Sequence, residues 1–125
     1  MTLRIKTVLG PSFIHGTGLF AAEPIERGAL VWQFDQDVGR LITREMMIAV
    51  RGLTAAFICK YGYQLTDGSW VLPVDDARFM NHSVTPNLAD VNQWMDVAAH
   101  DIQVGEELTC NYFSFCSFVA KTGIL

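Results

Sequence analysis

Residues Arg78-Phe79-Met80-Asn81-His82-Ser83-Val84-Thr85-Pro86-Asn87 crowd two asparagines, a proline and a serine into seven positions. Such side chains favour turns and can satisfy hydrogen bonds inside a folded body. The run therefore reads as a loop and not as a strand, and a loop this rich in amides and hydroxyls needs a compact body around it. The 125-residue chain supplies one: half of it is apolar and 18% is charged. That is too apolar to stay disordered and too short for a second domain, so residues 1 to 125 are expected to form one domain.

The remainder breaks into short apolar runs separated by turn residues. Leu3 to Leu9, Leu19 to Ala22, Ala29 to Phe34, Tyr61 to Leu65, Trp70 to Pro73, Leu88 to Asn92, Trp94 to Ala99 and Leu108 to Tyr112 read as strands. Pro24 to Gly28, Asp67-Gly68, Asn92-Gln93 and Val104 to Glu106 carry turn chemistry. The exception is residues 43 to 60, where Thr43 can cap a helix whose first turn holds Glu45, and where Gly52 divides the segment in two. The expected class is mainly β, with one short helical insert.

Charge narrows the function. Thirteen acidic residues against nine basic ones leave a net charge of -4, whereas neutralising phosphates calls for a basic surplus. No direct nucleic-acid binding is expected. Residues 61 to 125 hold eight acidic and two basic residues, which would attract a basic partner. No apolar run reaches the roughly 18 residues needed to span a bilayer, and Gly10 and Pro11 interrupt any signal-peptide core. The expectation is a cytoplasmic protein without a membrane. Cys59, Cys110 and Cys116 fit neither a disulfide framework nor a paired metal clip, so reduced thiols and no metal site are expected.

Three further segments have chemical character. His15-Gly16-Thr17-Gly18 would let a ligand approach the backbone closely, although a GxG of this kind is more often an ordinary tight turn. Tyr61-Gly62-Tyr63 follows the helical region, and its aromatics suit a half-buried pleated surface. Glu106-Glu107-Leu108-Thr109-Cys110-Asn111-Tyr112 ends a strand on an aromatic hydroxyl.

In this order, the four segments make residues 4 to 112 resemble the SET-domain family of protein lysine methyltransferases. The resemblance implies small curved β-sheets in which the Asn81-His82 segment lies beside the C-terminal strand in a pseudoknot, with residues 43 to 60 as the variable insert. It also implies S-adenosyl-L-methionine as cofactor. His15, Gly16, Thr17 and Gly18 would hold its amino acid end, the Asn81 amide its amino group, and the His82 backbone its adenine, leaving the His82 ring structural. Tyr112 and Tyr61 match the tyrosines at the inner end of the lysine channel, while Tyr63 is assigned to packing. The substrate would be a lysine in a basic protein segment, presented as a neutral amine whose pKa is lowered by desolvation and by the adjacent sulfonium.

Departures from the pattern matter too. Cys110 stands where the family often has Phe or Tyr, which leaves the number of methyl groups added open. Val84 replaces a common cysteine, and the zinc-binding flanks of many relatives are missing. A fold that binds cofactor or a lysine peptide without turnover is the competing function. Eleven of residues 108 to 125 are apolar or aromatic, Phe113, Phe115 and Phe118 among them. This tail would form a homodimer interface or fold back over the cofactor.

Overall fold

The computed structural model describes residues 2–35, 40–114 and 116. Its strands are β1 (Thr2–Leu3), β2 (Thr7–Pro11), β3 (Thr17–Ala21), β4 (Leu30–Gln33), β5 (Arg40–Ile42), β6 (Tyr63–Gln64), β7 (Trp70–Leu72), β8 (Asn81–His82), β9 (Leu88–Asp90), β10 (Met95–Ala98) and β11 (Thr109–Cys110). Helices α1 (Arg44–Ala49) and α2 (Gly52–Tyr61) lie between β5 and β6. The strands form four small sheets, in the orders β1-β4-β10-β9, β2-β3, β5-β7-β6 and β8-β11. The mainly-β class is the one expected.

Local chemistry accounts for the elements and for three differences from the sequence reading. The Leu3 to Leu9 run splits because the Arg4 amide leaves its neighbours to bond the Val31 carbonyl at 2.8 Å, and the Lys6 amide turns to the Glu23 carboxylate. Tyr61 closes α2 and does not open a strand, since the Gly62 amide reaches back to the Ile58 carbonyl at 2.7 Å and carries the helix through residue 61, so that β6 begins only at Tyr63. Asn81 and His82 are not purely loop: they pair in parallel with Thr109 and Cys110. Two residues are too few for any period to register in the sequence, and the pairing is long-range. Thr43 caps α1 by accepting from the Met46 amide at 3.2 Å, and the break before Gly52 falls where expected.

The main core clusters Leu19, Val31, Val71, Leu88, Ile102 and Leu108, all fully buried, and so joins β3, β4, β7 and β9 to the residue that leads into β11. Each such side chain contributes roughly 2–5 kcal/mol relative to alanine. The helical insert is held differently. α1 buries nothing and α2 only Ile58, which meets Ile42 and Trp70 in a small satellite cluster. Phe115 and Phe118 of the apolar tail lie outside the described residues, while Phe113 is exposed.

Candidate active site

The loop before β3 is drawn tight by Ser12. Its amide donates to the Gly16 carbonyl at 2.9 Å, and its hydroxyl accepts from the Ile14 amide and donates to the Glu107 carboxylate at 2.8 Å. Gly16 sits at a φ of +49°, where a side chain would strain the backbone. At Gly18 the demand is space: a Cβ would lie 2.6 Å from a Glu107 carboxylate oxygen and 3.0 Å from Ser12 Cβ.

Asn81 joins this loop to the β8-β11 pair. Its Nδ2 donates to the His15 carbonyl at 3.0 Å, to Ser12 Oγ at 3.1 Å and to Glu107 Oε2 at 2.9 Å. Because these neighbours are a carbonyl, a carboxylate and a hydroxyl already donating to that carboxylate, the amide orientation is dictated by chemistry. Oδ1 is then left as an acceptor with no partner among the described residues. Asn87, in the same motif, is used up structurally. It donates to the Glu107 carbonyl at 2.8 Å and accepts from the Thr109 amide at 2.9 Å, pinning the loop to the last strand.

The His82 imidazole is likewise structural: Nδ1 accepts from the Tyr112 amide at 3.1 Å, and the ring lies 5.3 Å from that of Tyr112. The Tyr112 hydroxyl donates to the Met80 carbonyl. Burial, reinforced by neighbouring thiols, holds that phenol above its ordinary range, so it is neutral at physiological pH.

A cavity of about 870 Å³ collects these groups, its wall including His15, Gly16, Thr17, Tyr61, Asn81, His82 and Tyr112. Seven of the eight residues singled out from the sequence therefore share one space. Gly18 is not on the wall: it is buried behind it, and its missing side chain makes room for Glu107. Tyr61 lies with its ring 5.9 Å from Phe79 and with Lys60 and Arg78 over it. Tyr63 is buried in an edge-to-face contact with Trp32 while its hydroxyl donates to the Gln93 carbonyl, so it packs and lines the cavity at once. The Cys110 thiol also lines the space, pushed well up by burial.

Sequence reasoning missed Ser12, Glu107, Asp90 and Asp96. Glu107 was visible inside the EEL segment, but nothing local indicated that its carboxylate would face Ser12, 95 positions away. Asp96 had a stronger signal: it is a lone acid in the otherwise uncharged Trp94 to Ala99 strand.

The family model described as SET domain matches residues 16–113. Among solved structures, polycomb repressive complex 2 of Chaetomium thermophilum recurs. In an autoinhibited conformation bound to S-adenosylmethionine it is 30% identical with a TM-score of 0.71, covering 94% of this chain and 16% of that one. A humanized mutant bound to an inhibitor gives 28% identity, a TM-score of 0.68, and coverage of 93% and 16%. The complex with trimethyl-lysine and lysine-to-methionine forms of histone H3 gives 29% identity, a TM-score of 0.66, and coverage of 86% and 14%. The chain thus spans about one sixth of those chains at most. No curated protein matches significantly.

Proposed function

The chain belongs to the SET-domain family, and on that premise we propose that it is an S-adenosyl-L-methionine-dependent protein-lysine N-methyltransferase acting on a lysine in a basic protein segment. The observation that carries this reading is the meeting of the His15–Thr17 backbone, Asn81 and Tyr112 on one cavity. A structural neighbour bound to S-adenosylmethionine and another in complex with histone H3 support it.

The residues present fit the cofactor. Its amino acid end carries an ammonium, and Asn81 Oδ1 is an acceptor left free by a network that already consumes Nδ2. Gly16 and Thr17 present backbone beside it, and the His82 backbone is assigned to the adenine. Gly18 supports this set from behind. When bound, the cofactor supplies an electrophilic methyl group on a sulfonium.

The chain's own part is positioning. Orienting an amine against that methyl in a near-attack geometry is worth several kcal/mol of barrier. Tyr112 and Tyr61 are read as the tyrosines of the lysine channel. The Tyr112 oxygen is fixed by its bond to the Met80 carbonyl, which holds it at the cavity wall. The acidic balance of residues 61 to 125 suits a basic substrate segment. A pseudoknot around the β8-β11 pair and a homodimer through the apolar tail belong to the same proposal.

Incubation with methyl-labelled cofactor and a lysine peptide array tests it. Label on particular lysines, lost when they are replaced by arginine, is the expected result. Cofactor binding without label on any peptide or basic protein would favour the binding-module alternative.

A further inference from the structure

Asp90 and Asp96 face each other directly across the β9-β10 ladder. Residues directly opposite in an antiparallel pair project to the same side, and like charges there destabilise the sheet. Both line the cavity with Trp32, Tyr63 and Tyr112. Asp90 is partly compensated, accepting from the Gln93 amide at 3.0 Å. Asp96 is not: it is 8% exposed, and among the described residues its carboxylate has no hydrogen-bond partner. Nor does any described lysine or arginine pair with either acid. Arg78 and Lys60, the two cations on the cavity wall, lie instead over the Tyr61 ring.

A buried carboxylate facing a like charge, with no counter-ion among the described residues, is expensive for the protein in its ionised form, and a cation entering the cavity would offset that cost. The donor set indicates which kind. No three His, Cys, Asp or Glu side chains among the described residues gather as metal ligands. The rings of Trp32, Tyr63 and Tyr112 on the same wall suit an alkyl chain and attract an ammonium through their faces.

We propose that Asp96, backed by Asp90, is the counter-ion that recruits the substrate's primary alkylammonium into this cavity and then takes one N–H proton onto its carboxylate, so that the amine is neutral when it meets the methyl group. The proposal rests on the lysine methyltransferase reading for the identity of that amine, and it adds a selectivity device: the cavity prefers a charged lysine tip to a neutral side chain of equal length. Burial and the neighbouring Asp90 push Asp96 up to about 7, so raising the pH through that range ionises the site and strengthens its pull on a cation. The groups facing Asp96 from the packed elements are Asp90 on β9, Trp32 on β4, Tyr63 on β6 and Cys110 on β11. His15 and His82 line the same cavity.

The probe is n-butylammonium, the end of a lysine side chain, with n-butanol as its neutral control, titrated into the protein at pH 8 and followed by NMR. The expected result is clear preference for butylammonium and at least tenfold loss of its affinity in Asp96→Asn, with n-butanol unaffected. Asp96→Asn should also melt higher than wild type at pH 8 in the absence of ligand, because it removes a like-charge opposition. A group with a merely structural role would melt lower. Acidifying wild type to pH 5 should weaken butylammonium binding further than it does in Asp96→Asn, which keeps the test on the native protein. Equal affinity for the two probes, or an unchanged butylammonium affinity in Asp96→Asn, overturns the proposal. S-adenosylmethionine affinity measured in parallel separates the two readings: its absence in wild type sinks the methyltransferase assignment, whereas the butylammonium preference stands or falls alone.

Discussion

Asn81 Nδ2 donates to Glu107 Oε2 at 2.9 Å, across 26 positions of sequence. The same carboxylate receives the Ser12 hydroxyl and occupies the space that a side chain at residue 18 would need. Two segments that look independent in the sequence, the GxG turn and the EEL strand, are thus locked together through one amide, and that lock aims Asn81 Oδ1.

Gly18→Ala should break the lock without touching the cavity wall. The new methyl forces Glu107 or Ser12 to move, at about 1–3 kcal/mol. Thermal melting should fall, and calorimetry should find weaker S-adenosylmethionine binding. Cofactor affinity equal to wild type would mean that Glu107 does not position Asn81.

The two asparagines of the loop should fail differently. Asn87→Ala leaves a buried carbonyl and amide unsatisfied, each costing on the order of 1–3 kcal/mol, so it should lower stability first. Asn81→Ala should stay folded yet bind S-adenosylmethionine at least tenfold more weakly, since an ammonium loses its acceptor. Denaturant melts and calorimetry on both variants check the split.

Asp96 gives stability a pH dependence of definite sign. Burial raises its folded-state pKa to about 7, whereas its ordinary value is 3.8, so the folded protein holds more protons in between. Stability is fully present below the unfolded value and declines as pH rises from about 4 through 7, by at most a few kcal/mol. Urea midpoints across that range should fall in wild type and flatten in Asp96→Asn. A wild-type profile that rises steadily over the same range would show that Asp96 does not carry this charge.

What the sequence revealed was chemistry with dense local signatures. The Thr43 cap and the break near Gly52 were legible because capping and turn residues act on their neighbours, and the family resemblance placed the fold. Pairings that depend on distance were not legible. The β8-β11 ladder joins residues 28 positions apart in two-residue strands. Glu107 meets Ser12 only after the sheets assemble, and Asp90 comes opposite Asp96 only through the β9-β10 register. Asp96 still left a trace, as an acid on an inward position of an apolar strand.

The central claim is tested most directly by single-turnover transfer of labelled methyl from S-adenosylmethionine to a lysine peptide, in wild type and in Tyr112→Phe. The substitution keeps the ring against His82 and removes only the oxygen bonded to Met80. The account predicts transfer by wild type and a rate about 100-fold lower in the variant, with cofactor affinity unchanged and the fold intact by melting. Wild-type turnover in a folded Tyr112→Phe protein would contradict it.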